Sequence, residues 1–333
     1  MKTIIIAEAG VNHNGNIDIA VQLVDEACKA NADIIKFQTA IPSEVVTKYG
    51  IKADYQNDIR YKGESQLDMT RRIHLPIKDF GIIQQYCKNK NIEFLTTSFG
   101  PISTKYIATL NMNFSKIPSG EITNLPYLEA IAKLNNQIIM STGMASMSEI
   151  QEALDVLFNK GVNPKQITLL HCTSEYPAPI ENLNLNAIKT LQNAFGLNVG
   201  YSDHSLGIEV AIAAVAMGAK IIEKHFTLDR NLEGPDHKAS IEPKELKLMI
   251  QNIRNIELAL GSHEKKISFG ETLNKEIVRK SIVASKTIQK GQLFNEGNIT
   301  CKRPGTGITP MKWKEVIGKV AKKNFYEDEL ISL

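Results

Sequence analysis

The sequence predicts an α/β protein, a (β/α)8 barrel followed by a small β-rich C-terminal domain. Three observations carry that expectation. About eight short β-branched or apolar runs alternate with longer amphipathic stretches over the first 261 of the 333 residues, which is the count and length of such a barrel. Each of those runs ends in polar residues. After residue 280 the pattern changes to short strands broken by Gly, Asn and Pro.

In chain order the candidate strands are Thr3–Glu8, Ile34–Gln38, Glu93–Thr97, Phe114–Ile117, Gln137–Ser141, Ile167–Cys172, Asn198–Ser202 and Ile221–His225. Helical periodicity falls between them at Ile17–Ala30, Ile77–Asn89, Leu125–Lys133, Ser146–Asn159, Gly207–Met217 and Pro243–Leu260. Uniformly short strands separated by helices imply right-handed βα crossovers and a parallel sheet. A doubly wound open sheet is the runner-up. It needs fewer strands, and no GxGxxG follows the first one.

The connection Thr39–Arg72 is too long and too polar for a simple loop, and a lid over the barrel mouth is expected there. Residues 262–279 are polar without a clear period and read as a linker between a catalytic domain, 1–261, and a second domain, 280–333. That second domain carries ten basic and five acidic residues. At about 50 residues it would be marginal alone, so docking onto another surface, its own barrel's or a neighbour's, is expected.

Composition excludes several classes. The chain is 43% hydrophobic and 23% charged, values of a globular protein with a real core. Its 39 basic and 36 acidic residues leave a net charge of +3, too balanced to argue for a nucleic-acid or membrane partner. No apolar run approaches the length of a membrane span. The first residues, MKTIIIAEAG, read as a strand and not as a signal peptide. Cys28, Cys87, Cys172 and Cys301 show no CxxC spacing, so neither a zinc ribbon nor a disulfide framework is suggested. A reduced, cytoplasmic protein is expected.

The polar strand ends, AEAGVNHNG, KFQT, LTTSF, KIPSGE, STGM, HCTSEYP, GYSDHS and EKHFT, would all meet on one face of a barrel, where active sites are built. His204 and His225 close the last two units. Neighbouring strands lie about 4.8 Å apart, so both imidazoles could converge on one Mn²⁺, Fe²⁺, Co²⁺ or Zn²⁺ acting as a Lewis acid. Two rim histidines held by hydrogen bonds are the alternative. Lys36 and Lys116, with hydroxyls at Thr97, Ser119, Ser141 and Ser202, suit a phosphate. The rival for either lysine is a Schiff-base nucleophile, as in a pyruvate aldolase. Glu8, Glu121 and Asp236 are candidate sugar-hydroxyl acceptors and proton-transfer groups, or ordinary caps and rim charges. His171 reads as a core or supporting histidine; His74, His237 and His263 carry no spacing signal.

Taken together these motifs resemble the sialic acid synthase family, the phosphoenolpyruvate-condensing nonulosonate synthases. The resemblance covers essentially the whole chain. It runs through AEAGVNHNG, KFQT, KIPSGEITNLPYL, STGM, HCTSEYPAP, GYSDHS, EKHFTLDR and GPDHKASIEP to KRPGTGI, a segment that looks like that family's antifreeze-like (SAF) domain. It implies a TIM barrel plus SAF domain and a domain-swapped homodimer. His204 and His225 would hold a divalent metal, Mn²⁺ by preference with Mg²⁺ or Co²⁺ as alternatives. Lys36, Thr97, Lys116, Ser119, Ser141 and Ser202 would hold phosphoenolpyruvate. Glu8, Gln38, Glu121, Tyr176, Asp236 and Arg303 would face the sugar or assist proton transfer. Where some members carry Asn, this chain has Ser174, so a phosphate contact there is altered or made through water. The implied substrates are phosphoenolpyruvate and an N-acetylmannosamine-type sugar. Among nonulosonates, SGEITNLPYL, GYSDHSLGI and GPDHKASIEP look at least as much like legionaminate as neuraminate synthases, and less like pseudaminate synthases. The alternatives from other classes are a metal-dependent or Schiff-base pyruvate aldolase and a non-catalytic sugar-binding protein.

Overall fold

A computed structural model describes residues 2–57 and 61–333; Asp58, Ile59 and Arg60, inside the expected lid, lie outside the described residues. Eight strands form one sheet: β1 (Ile4–Gly10), β2 (Ile34–Ala40), β3 (Glu93–Phe99), β4 (Phe114–Ile117), β5 (Gln137–Ser141), β6 (Ile167–Cys172), β7 (Asn198–Asp203) and β8 (Ile221–His225). The ladder runs β3-β2-β1-β8-β7-β6-β5-β4, so β1 lies between β2 and β8. Ile4 pairs in parallel with Ile221 and Ile6 with Ile34. The first strand therefore joins the last, and the sheet curls into a nearly closed (β/α)8 barrel. The expected fold class holds, and the open-sheet runner-up is excluded by the β1–β8 pairing.

The helices form by the rules their sequences suggest. Helix Ile17–Lys29 starts where the Asn16 side chain accepts from the Asp18 and Ile19 amides, and it buries Ala20, Leu23, Val24 and Ala27. That i, i+3, i+4, i+7 stripe is the face a barrel helix turns to its strands. Helix Met147–Asn159 begins with a capping box between Ser146 and Glu149. Strand residues such as Ile5, Ile6, Ile35, Leu95, Ile117, Leu170, Val199 and Ile222 are buried in a single continuous core.

Registry places chemistry at the mouth. Glu8 is level with Lys36 on one side and His225 on the other. Just beyond it β1 bulges at Gly10, whose φ is +54°. A Cβ there would lie 3.2 Å from Gln38 Nε2 and 3.3 Å from Glu8 Oε1, so glycine suits both the backbone and the close approach.

The long segment after β2 contains a short helix at Pro42–Val45, a 3-10 turn at Asp54–Gln56 and a helix at Gln66–Ile73, followed by helix Asp79–Lys90. No helix among the described residues is long and apolar enough to cross a membrane. All four cysteines are free.

The chain divides into two compact units, Met1–Gly261 and Ser262–Leu333. The stretch read as a linker is not irregular throughout: helix Phe269–Val278 begins at a capping box between Ser268 and Glu271. Its apolar residues, Phe269, Leu273 and Ile277, recur every four positions, a helical repeat hidden by the polar residues between them. The smaller unit has its own core. β9 (Ser281–Ala284) pairs antiparallel with β10 (Ile299–Lys302). Ile282, Ile288, Phe294, Ile299, Val316 and Phe325 pack beneath them.

Candidate active site

The C-terminal ends of the strands surround a cavity of about 550 Å³. At its floor lie two lysines and two carboxylates, all with side chains no more than 6% exposed. Lys36 Nζ is 2.9 Å from Glu8 Oε2 and 3.6 Å from Glu223 Oε2; Lys116 Nζ is 3.3 Å from Glu223 Oε1. Lys36 donates to Thr97 Oγ1 at 3.3 Å and Lys116 to Ser141 Oγ at 2.9 Å, while Ser202 Oγ donates to Glu223 at 3.1 Å. Burial opposes every charge in this group, and the partners decide the outcome. The two lysines outweigh burial at Glu223 and hold its carboxyl down at about 2. Glu223 and Glu8 hold Lys36 above its ordinary value. Burial, aided by Lys36, holds Lys116 below it. Burial raises the carboxyl of Glu8 against the pull of Lys36, and Gln38 donates to its Oε1 at 3.2 Å.

Beside the lysines is a hydroxyl cradle. Ser119 Oγ accepts from the Gly143 amide at 3.0 Å. A Cβ on Gly143 would lie 2.8 Å from that oxygen and 2.3 Å from Ser174 Oγ. A side chain at 143 would displace both hydroxyls, and the glycine backbone lets them sit close together. Ser174, where the family resemblance signals a departure, thus keeps its hydroxyl beside Ser119.

On the β7–β8 side His204 and His225 face each other with ring centroids 5.4 Å apart. His204 Nδ1 donates to the Thr173 carbonyl at 2.7 Å, and against the pull of burial Cys172 and that carbonyl raise its imidazole above the ordinary value. His225 Nδ1 is buried without a hydrogen-bond partner, 3.8 Å from Asp236 Oδ2. Burial, together with His204 and Lys36, holds His225 well below its usual range, so its imidazole is neutral. Among the described residues no three His, Cys, Asp or Glu side chains form a ready metal cage. Two imidazoles, His204 oriented by a backbone carbonyl and His225 neutral and without a partner, are an open donor set with positions left for oxygen ligands. The residues fit a divalent cation. Tyr176 stacks on His204 at 4.2 Å and meets His225 edge-on at 5.6 Å.

Asp236 is buried at the cavity edge, and its carboxyl is raised to about 6, by burial first and Glu8 second. A clamp holds its turn against the loop after β1. Asn12 Nδ2 donates to the Phe226 carbonyl at 2.8 Å and to Ser240 Oγ at 2.9 Å, and Ser240 Oγ donates to the Asp236 carbonyl at 2.7 Å. His237 Nδ1 is 2.7 Å from the Thr227 hydroxyl and its Nε2 is 3.3 Å from Asn14 Oδ1.

Of the residues singled out in the sequence, Glu8, Lys36, Gln38, Thr97, Lys116, Ser119, Ser141, Ser174, Tyr176, Ser202, His204, His225 and Asp236 all line this cavity. Glu121 does not: its carboxylate accepts from Asn124, the residue that caps the next helix. Arg303 belongs to the smaller unit, where its Nε donates to the Val278 carbonyl at 3.0 Å. His171 is turned away onto the Leu183 carbonyl. Glu223, Cys172 and the clamp residues Asn12, Asn14, His237 and Ser240 were not anticipated. For Glu223 a signal existed, since it lies two residues before His225 and shares its face of β8.

A barrel whose mouth joins a buried floor of two lysines and two carboxylates to an open pair of histidines has the make-up of an enzyme site for small polar molecules. Residues 23–265 match the NeuB family model and residues 279–333 the SAF domain model. The chain is 52% identical over 330 residues to the N,N'-diacetyllegionaminic acid synthase of Campylobacter jejuni, covering 99% of each. It is 42% identical to the synthase of the same name from Legionella pneumophila, over 96% of this chain and 90% of that protein. The crystal structure of a sialic acid synthetase from Leptospira borgpetersenii superposes with a TM-score of 0.72 at 35% identity, covering 82% of this chain and 90% of that one. This chain belongs to the NeuB family and, like those synthases, is an enzyme that makes a nonulosonic acid. Synthases of this family are generally metal-dependent.

Proposed function

We propose that this enzyme condenses phosphoenolpyruvate with 2,4-diacetamido-2,4,6-trideoxymannose to give N,N'-diacetyllegionaminate and inorganic phosphate. The observation that carries the reaction type is the buried floor of Lys36 and Lys116 beside clustered hydroxyls, facing the histidine pair across one cavity. Similarity to the Campylobacter synthase supports this sugar over N-acetylmannosamine.

Lys36 and Lys116 hold the phosphoenolpyruvate anion, with Thr97, Ser119, Ser141, Ser174 and Ser202 donating or accepting around it. His204 and His225 would hold a divalent cation, Mn²⁺ by preference, which supplies Lewis-acid polarisation of the sugar's aldehyde when bound. C3 of the enol attacks the aldehyde carbon. Asp236, whose turn is held by the Asn12–Ser240 clamp, delivers a proton to the former aldehyde oxygen. Water adds at C2 with Glu8 as proton acceptor, and the C2–O bond to phosphate breaks, so the bridging oxygen leaves with phosphate. Gln38 and Tyr176 orient the sugar. Arg303 completes the sugar site in a domain-swapped dimer, in the cytoplasm, by reaching the partner's barrel.

The test is an assay with phosphoenolpyruvate labelled with ¹⁸O in the bridging position, Mn²⁺ and each candidate sugar. The label is expected in inorganic phosphate, with a nine-carbon diacetamido keto acid as product. Label retained in the keto acid, or a product formed from pyruvate without phosphate release, would overturn the mechanism and favour an aldolase.

A further inference from the structure

One wall of the cavity is not built from strand ends. Between β2 and helix Asp79–Lys90 the chain contributes Val45, Val46, Ala53, Tyr55, Met69 and Ile73 to the lining. Met69 and Ile73 are buried against Val11, just after β1. That contact anchors the wall on the side of Glu8, Gln38 and Asp236, away from the hydroxyl cradle. Tyr55 lies 5.0 Å from the Tyr176 ring, which itself stacks on His204.

Polar groups of this wall are largely spent within it. Gln56 Oε1 accepts from the Ala53 amide at 3.0 Å, and the Thr70 hydroxyl donates to the Gln66 carbonyl at 2.8 Å. The wall lines the cavity with the hydrocarbon of Val45, Val46, Ala53, Met69 and Ile73 and with the polar side chains of Gln56, Gln66, Thr70 and His74 between them. A sugar reacting through its aldehyde near His204 and His225 must run its far carbons away from the lysine floor, towards this wall.

We infer that the wall of Val46, Tyr55 and Met69 selects the sugar, by receiving a C6 methyl and a C4 acetamido group where N-acetylmannosamine would present hydroxyls. The inference rests on the reaction proposed above and names the residues that set its substrate. A C6 methyl loses little on leaving water, whereas a hydroxyl set against hydrocarbon loses its hydrogen bonds; at C4 the acetamide methyl takes the apolar side and its amide needs a polar neighbour such as Gln66. Contacts of this size discriminate by roughly 10- to 200-fold in kcat/KM.

The experiment compares kcat/KM for 2,4-diacetamido-2,4,6-trideoxymannose and N-acetylmannosamine in the full-length wild type, Val46→Thr and Met69→Gln. Val46→Thr is nearly isosteric, so it keeps the fold should Met69→Gln fail to. Melting temperature and KM for phosphoenolpyruvate report folding and the opposite end of the cavity. The expected result is a preference for the diacetamido sugar that falls about tenfold in Val46→Thr, with KM for phosphoenolpyruvate unchanged. If both sugars change by the same factor, or neither changes, the wall does not select and the inference is overturned. A wild type that prefers N-acetylmannosamine would instead overturn the choice of substrate.

Discussion

Removing the charge of Glu223 tests the electrostatic account of the site floor. In Glu223→Gln the shape persists and Ser202 keeps an acceptor, yet Lys36 and Lys116 lose the carboxylate that lies 3.6 and 3.3 Å from their ammonium groups. Breaking a buried pair by removing one partner costs about 3–5 kcal/mol. The lower end applies here, because the Gln carbonyl still accepts and Lys116, already held below its ordinary value, can shed its proton. For a domain of this size about 3 kcal/mol lowers Tm by roughly 6–12 °C. Phosphoenolpyruvate should return much of that loss, since it brings its own negative charge to the lysines. At a ligand concentration of 100 Kd the wild type gains about 2.7 kcal/mol, and at that same concentration the variant, whose lysines are freed for the anion and bind it more tightly, should gain more. The assay is differential scanning calorimetry with and without phosphoenolpyruvate. A variant melting within about 1 °C of wild type, with the same response to ligand, would show that Glu223 does not balance the two lysines.

Further expectations follow from the same geometry. Excess chelator should abolish turnover and Mn²⁺ restore it, while His204→Ala and His225→Ala should each remove most activity with little change in Tm; full activity in chelator would refute the histidine site. Burial holds His13 at about 3 and His237 at about 4, both fully buried and below the ordinary 6.5. Their contribution is therefore complete above pH 6.5 and lost as pH falls through 5, by about 2 kcal/mol each at that pH; a Tm that stays flat from pH 7.5 to 4.5 would contradict this. Co-refolding Arg303→Ala with His204→Ala should recover up to about one quarter of wild-type activity if chains mix statistically in dimers, and no gain over the parents would place Arg303 in cis or outside the site.

What the sequence made legible was whatever could be read one strand at a time. Each strand end announced itself by a hydrophobic run closing in polar residues, so His204, His225, Lys36 and Lys116 could be placed at one mouth. Glu223 was harder, because EKH reads as a run of rim charges until the alternation of β8 is imposed. With it, Glu223 and His225 face the cavity while Lys224, between them, is fully buried against Asp203 at 2.7 Å. The clamp was not legible at all. Asn12 meets Ser240 across 228 residues of chain, and nothing local in VNHNG names its partner. Helix Phe269–Val278 was hidden in another way: its regularly spaced apolar residues stand apart among polar ones, so the period did not show.

The pairing of β1 with both β2 and β8 has a consequence for how activity arises in time. Glu8 stands on the seam where the ring closes, level with Lys36 from early in the chain and His225 from late in it. A ribosome that has released β1 to β7 has delivered the lysines, yet the strand that carries Glu223 and His225 has not been made. No amino-terminal fragment can hold a partial catalyst, and contacts this distant in sequence are late to form. During refolding, turnover should return with the slowest structural signal of the barrel and never ahead of it.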